Sequence, residues 1–252
     1  EEIGEDQTGT VNISGLWKFS MDRHNLKITN GAAFVQALIE LEPNKDGLVG
    51  YWSFDEGSGN KVYDKSGNGN DGNLLPSGSG PAWTAGKFGS ALSFDGTDDY
   101  VLTPRLQESS PNAQTTAVWI KPEHPGGCVI SELGQNTINV GYHYCQIEVE
   151  SNGEVRGKIW NIGWISIGTI NWNIWNHIVI SFNGSVVNGY INGESSSMSQ
   201  GTRSPPSSWH LAFAATDSTN LGNGVYFNGI IDEAHVWNKA LSPDQTVVMK
   251  MV

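Results

Sequence analysis

Between Val11 and Met21 the apolar residues keep to one parity. Val11, Ile13, Gly15, Trp17, Phe19 and Met21 are odd-numbered; Asn12, Ser14, Lys18, Ser20 and Asp22 are even-numbered, with Leu16 the exception. Successive strand residues face opposite ways, so this period predicts a strand of about 11 residues with one apolar face. Further on, Leu26–Thr29 and a run ending at Glu42 flank Asn30-Gly31. An Asn-Gly between apolar runs predicts a hairpin, because both residues accept positive φ. Val35, Ala37, Ile39 and Leu41 alternate in the second arm, although Ala, Gln, Leu and Glu also permit a short helix over 32–41. Pro43-Asn44-Lys45-Asp46-Gly47 breaks the pattern. It divides an N-terminal β extension, residues 1–46, from a main body, residues 47–252.

In the main body, strand-sized apolar runs recur between turn residues at 48–54, 90–94, 99–103, 115–121, 128–133, 145–150, 155–167, 176–182, 187–192, 209–214 and 225–237. This rhythm predicts an all-β antiparallel sandwich rather than alternating β and α units. Near the end, Ser242 as cap, Pro243 at the first position and Gln245 closing a capping box predict a short C-terminal helix.

Composition sharpens the picture. Charged residues make up only 16% of the 252, against 31 Gly and 10 Trp, which suits many short strands, tight turns and a large core. The 14 basic and 26 acidic residues give a net charge of −12, and Lys and Arg form no cluster, which argues against nucleic acid. Acidity is compatible with divalent cations, and equally with solubility alone. Cys128 and Cys145 are spaced for one disulfide across adjacent strands, with two buried thiols as the alternative. No apolar run reaches transmembrane length. The chain opens at Glu1-Glu2, as a processed exported protein would, and carries sequons at Asn12 and Asn183. The expected location is therefore extracellular, secreted or at a cell surface.

Five stretches carry a family resemblance. They are Gly50-Tyr51-Trp52-Ser53-Phe54-Asp55-Glu56-Gly57 with Asp64-Lys65-Ser66-Gly67-Asn68; Phe88-Gly89-Ser90-Ala91-Leu92-Ser93-Phe94-Asp95-Gly96 with Asp98-Asp99-Tyr100-Val101; Thr116-Ala117-Val118-Trp119-Ile120-Lys121-Pro122; Trp175-Asn176-His177-Ile178 with Tyr190-Ile191-Asn192-Gly193; and Phe227-Asn228-Gly229-Ile230-Ile231-Asp232-Glu233 with Trp237-Asn238-Lys239-Ala240-Leu241-Ser242. In this order, over about 48–246, they resemble the laminin-G-like, concanavalin A-like jelly-roll family. The resemblance implies a structural calcium where the opening and closing strands meet. Asp55 and Asp232 would be its carboxylates; Asn60 and Asp64 lie in the loop between and could add oxygens. The alternative is that Asp55 caps a turn and Asp232 pairs with a backbone amide. The family binds glycans, proteins and itself, so the fold alone names no ligand.

Other candidates follow from residue type. Asp95, Asp98 and Asp99 read as turn chemistry rather than a second metal site. Trp160, Trp164 and Trp172, with Trp175 and the nearby Asn161, Asn171 and Asn173, suit a sugar-stacking platform or the core. Glu148 and Glu150 share one strand face, a spacing open to two-carboxylate chemistry, but Val149 stands where related glucanases have an Asp. Neither a Gly-x-Ser-x-Gly elbow nor a His-Glu-x-x-His occurs, and His177 reads as packed, so no enzyme is expected.

The N-terminal arm departs from the family. A long strand with one apolar face must be covered, by its own sandwich or by a neighbouring subunit. Two functions follow. One is a structural subunit of a surface filament, joined by donation of the strand bearing Val11, Ile13, Trp17, Phe19 and Met21. The other is a glycan-binding, adhesive lectin-like module whose site would use the loop tryptophans and could use calcium.

Overall fold

The computed structural model describes residues 18–21, 25–30, 33–38, 45–106, 113–133, 143–159, 162–202, 209–216, 226–241 and 245. Val11, Asn12, Ile13, Trp17 and Trp160 lie outside them. So does most of the expected C-terminal helix, of which only Gln245 is described. The chain forms two compact units, Glu1–Pro43 with Met251–Val252, and Asn44–Lys250.

In the first unit β1 (Lys18–Met21), β2 (Asn25–Asn30) and β3 (Ala33–Leu38) form an antiparallel sheet in that order. The register aligns Phe19, Ile28 and Val35 in one row and Met21, Leu26 and Ala37 in another, all on one face. Lys18, Thr29 and Phe34, and Ser20, Lys27 and Gln36, fall on the other. The hairpin closes between Asn30 and Ala33, at the Asn-Gly signal. The competing helix over 32–41 is not formed along 33–38. There the period-two alternation lets β3 complete the apolar rows of β2, and tertiary pairing overrides helix propensity.

In the second unit the strands are β4 (Leu48–Trp52), β5 (Lys61–Val62), β6 (Gly72–Leu75), β7 (Ala82–Ala85), β8 (Ser90–Asp95), β9 (Tyr100–Leu102), β10 (Gln114–Pro122) and β11 (Gly127–Leu133). They continue as β12 (His143–Val149), β13 (Glu154–Gly157), β14 (Ile165–Thr169), β15 (Asn176–Phe182), β16 (Val186–Ile191), β17 (Glu194–Gln200), β18 (His210–Phe213) and β19 (Asn228–Trp237). They make two eight-stranded antiparallel sheets. The first runs β17-β16-β15-β10-β19-β8-β7, with β4 also on β19; the second runs β14-β13-β12-β11-β18-β9-β6-β5. The architecture is the all-β sandwich expected from the sequence.

Alternate residues of both sheets fill the space between them. Val118, Ile120, Ile178, Ile180 and Phe182 come from the first sheet, Ile130, Ile147, Val149, Leu211 and Phe213 from the second. Trp52 and Phe54 both meet Phe213 edge-on, at centroid separations of 5.1 and 5.5 Å, the geometry that aromatic quadrupoles favour. A buried polar chain also crosses between the sheets. Gln114 donates to Thr116 Oγ1, Thr116 to Gln146 Oε1, and Gln146 to Glu132 Oε1. Hydrogen bonding offsets the desolvation of the atoms it joins.

Cys128 and Cys145 are bridged, and no free cysteine remains. Cys128 stands opposite Glu148 and Cys145 opposite Ser131; across the two bulges between these pairs the Cα atoms still approach to 5.8 Å. After β19 the chain turns back over the outer face of the first sheet. Leu241 N donates to Thr115 Oγ1, and Leu241 packs with Ala117, Val179, Tyr190 and Trp237. Among the described residues no helix is long and apolar enough to cross a membrane.

Candidate functional site

β19 organises the first candidate centre. One side pairs with β10, while the other pairs with β8 over 228–231 and with β4 over 234–237. Asp232 and Glu233 occupy the gap between those two partners. Asp232 is 0% exposed. Its Oδ2 accepts from the Phe88 amide at 3.0 Å, and its Oδ1 is buried without a hydrogen-bond partner. Asp55, just after β4, accepts from the Ser90 amide through Oδ1 at 3.1 Å and meets Lys65 Nζ at 3.5 Å through Oδ2.

Burial pushes the Asp232 carboxyl up to about 8; the Phe88 amide opposes this, and the charges of Glu233 and Asp55 add to it. The surrounding backbone is strained. Phe54, next to Asp55, has φ 53°, and Glu233, next to Asp232, has φ 49°, both in the left-handed region that non-glycine residues avoid. Gly86 is required by close approach, since a Cβ there would lie 2.6 Å from Asp232 Oδ2.

A hard divalent cation needs several oxygens, carboxylate and carbonyl, in one place. Asp55 and Asp232 fit that need. The charge of Asp55 helps to raise the Asp232 pKa, and Asp232 carries an orphaned buried oxygen. Asp64 and Asn60 behave differently. Asp64 already accepts from the amides of Tyr51, Ser66 and Asn70 and from the Ser66 hydroxyl, so both its oxygens are committed to the β5–β6 region. Asn60 is exposed and accepts from Leu74 N through its carbonyl. The turn-cap reading is also partly realised, in the bonds to Ser90 and Phe88. Sequence reasoning missed the 86–90 segment and Lys65, which the chain holds far from Asp232; Gly86-Lys87-Phe88-Gly89 was the available signal.

The second candidate lies on the outer face of the second sheet, across β12, β13 and β14. Glu148 stands opposite Arg156, and Arg156 opposite Ser166. Arg156 Nη2 bonds Glu148 Oε2 at 2.9 Å and also pairs with Glu150. Burial raises the Glu148 pKa, and Arg156 pulls it back down. The Trp164 ring, half-buried, has the Arg156 guanidinium 4.9 Å and Lys158 Nζ 5.3 Å from its centroid. Desolvation lowers the Lys158 pKa. One guanidinium thus stands between the two carboxylates, where an acid–base pair would need room for a sugar and a water. Arg156 and Lys158 had no sequence signal, because only the β12–β13–β14 register sets them beside Trp164.

Among the described residues, Trp164 and Trp172 do not form a shared platform. Trp164 and Trp172 sit at opposite ends of β14 (Ile165–Thr169), and Trp172 packs against the core with its ring 5.3 Å from His124. Asp95, Asp98 and Asp99 do cluster, as a turn: Thr97 N donates to Asp95 Oδ1 and Asp95 N to Asp99 Oδ2. His177 is buried against Trp119. Asn183 is exposed at the β15–β16 turn, where its Oδ1 accepts from the amides of Ser185 and Val186. Phe19 and Met21 lie on β1, paired with Ile28 and Leu26.

Comparison with known proteins places these features in context. Residues 95–246 match the family model for the concanavalin A-like lectin/glucanases superfamily. A domain of an extracellular arabinanase from Geobacillus stearothermophilus, solved with arabinotriose, is 21% identical with a TM-score of 0.61, over 83% of this chain and 100% of that one. Trypanosoma rangeli sialidase, solved with sialic acid, is 11% identical with a TM-score of 0.61, over 94% of this chain and 44% of its own. The binding domain of Paraclostridial Mosquitocidal Protein 1 is 18% identical with a TM-score of 0.57, over 82% of this chain and 52% of its own. At such identities the likeness is one of fold. No curated protein sequence matches the chain.

Proposed function

The chain belongs to the concanavalin A-like lectin/glucanase superfamily, and from that premise we propose that its sandwich is a non-catalytic, extracellular carbohydrate-binding module. The observation that carries the reading is the Trp164 ring set beside Arg156, Lys158, Glu148 and Glu150. A half-exposed indole stacks on the C–H face of a sugar, while carboxylates accept from and cations donate to its hydroxyls. Two cations and two carboxylates balance, so the patch has no net field for an acidic sugar, and the −12 charge of the chain repels polyanions. A neutral glycan is therefore the proposed ligand class. Arabinotriose, bound to the similar arabinanase domain, is of that class. The guanidinium between Glu148 and Glu150 supports binding without hydrolysis.

Asp55 and Asp232 are the proposed holders of a structural calcium. The ion would supply positive charge that neutralises two carboxylates and ties β4 to β19. The protein's own part is to bury Asp232 and fix both side chains through the Phe88 and Ser90 amides.

Affinity gel electrophoresis against neutral polysaccharides, arabinan included, and against polygalacturonate tests the module. Retardation by a neutral polymer that Trp164→Ala abolishes is the expected result. Retardation by none of them, or undiminished retardation of Trp164→Ala, would sink the assignment.

A further inference from the structure

We propose that Asn183 is an acceptor site for an N-linked glycan. This goes beyond carbohydrate binding and holds whether or not the Trp164 patch takes a sugar. Asn183-Gly184-Ser185 is an acceptor sequon, and the structure places it at the tip of the β15–β16 hairpin. The last strand pair is Phe182↔Val187, and Asn183 N donates to the Val186 carbonyl at 3.2 Å, so residues 183–186 make the connecting turn. Gly184 takes φ 97°, so the turn itself requires a glycine between the asparagine and the serine. Asn183 and Ser185 are both exposed. The two side chains that a transferase reads therefore stand at the surface, where a bulky sugar chain displaces nothing from the core.

The turn divides the Asn183 side-chain amide between two tasks. Oδ1 accepts from the Ser185 and Val186 amides, at 3.1 and 2.9 Å, while Nδ2 is bonded to none of the described residues. Glycosylation changes the nitrogen and leaves the oxygen an acceptor. The hairpin thus keeps both bonds with a glycan in place. Other asparagines use the nitrogen instead. Asn70, Asn176 and Asn228 donate through Nδ2 to the carbonyls of Val49, Ile174 and His124, and Asn192 donates to Asn176 Oδ1. A glycan on any of these would crowd a contact that the fold uses. Asn152 shares the Asn183 arrangement, with Oδ1 on the Glu154 amide, but Glu154 stands where the sequon needs a hydroxyl. The other sequon, at Asn12, lies outside the described residues.

The transfer balances with a lipid-diphosphate-linked oligosaccharide as donor and an oligosaccharyltransferase as catalyst. Nδ2 bonds to the anomeric carbon of the first sugar. The bond from that carbon to the diphosphate oxygen breaks, and the oxygen keeps the electron pair. Nδ2 gives up one proton to a base of the transferase, and nothing is oxidised or reduced.

The test secretes the full chain from cultured eukaryotic cells, beside Ser185→Ala and Ser185→Thr. Alanine at 185 spares the turn, because both bonds to Asn183 Oδ1 come from backbone amides. Peptide N-glycosidase in heavy-oxygen water converts each glycosylated asparagine into a labelled aspartate. Mass spectrometry of the peptide holding Asn183 then separates a lost glycan from unlabelled deamidation of the Asn-Gly pair. Label at Asn183 is expected in the native chain and in Ser185→Thr, and none in Ser185→Ala. The native chain decides the matter even if the alanine variant misfolds. No label at Asn183 in the secreted native chain, or equal label in Ser185→Ala, would overturn the inference.

Discussion

Asp232 holds a carboxylate oxygen buried and without a hydrogen-bond partner, and the charge of Asp55 helps raise its pKa. Two acids so placed destabilise the ionised sandwich unless a cation joins them. The folded pKa of about 8 stands above the ordinary carboxyl value of 3.8, so the folded state keeps a proton that the unfolded state releases. The stabilising contribution is therefore complete below pH ~4 and lost as pH rises towards 8. In chelator the Tm should fall over that window, and Asp232→Asn should flatten the fall. Calcium at about 100 times its Kd should add about 2.7 kcal/mol to the native protein and nothing to the variant. Thermal melts with calcium and with chelator read both outcomes, and a variant that still responds to calcium would remove Asp232 from the site.

Trp164 and Trp172 should separate binding from stability. Trp164→Ala should lose polysaccharide retardation with little change in Tm. Trp172→Ala should keep retardation but cost about 2 kcal/mol, since its half-buried ring packs on the core and against His124. Denaturant melts run beside the gels distinguish them, and the reverse pattern would move the binding face to the other end of β14.

His235 is predicted to make the sandwich acid-sensitive. It lies between Tyr51 and Trp237, its ring stacked 4.1 and 5.3 Å from theirs, and burial lowers its pKa to about 4 against a smaller opposing effect of the Glu233 carbonyl. Its folded pKa is depressed, so its contribution is present above pH ~6.5 and lost as pH falls towards 4, a change of about 3 kcal/mol. His235→Gln should remove that part of the acid slope in pH-dependent urea melts. An unchanged slope would assign it to other groups.

The Cys128–Cys145 bridge closes a loop of sequence separation 17 and should contribute about 3 kcal/mol in the chain-entropy account. Both cysteines are buried. Reductant should therefore act only as the sandwich opens, and a Cys128→Ser, Cys145→Ser double variant should lower Cm by the corresponding amount. Ready reduction of the native protein, followed by thiol labelling, would contradict that burial.

Much of the architecture was legible along the chain. Alternation and turn residues are local properties, so the strands from Leu48 onward, the Asn30-Gly31 hairpin and the all-β class could be read directly. Helix against strand over 32–41 could not be decided locally, because Ala, Gln and Leu suit a helix while the alternation suits a strand. Pairing with β2 settled it. Asp55 and Asp232 were legible through resemblance, whereas Asn60 and Asp64 were proposed from proximity in sequence; the loop fold committed Asp64 to four other donors instead.

By itself the sequence determined the repeating strands, the acidic balance, the cysteine pair and the residue types from which a cation site and a sugar platform could be built. Only the tertiary structure decided which of those residues meet. The split of β19 between β8 and β4 sets Asp232 near Asp55 and against the 86–90 segment, and the β12–β13–β14 register sets Arg156 between two glutamates and beside Trp164 while leaving Trp172 at the far end of β14. The physical reason is that period and turn chemistry act over a few residues, whereas burial, charge pairing and ring contacts depend on strand neighbours that the sequence holds far apart.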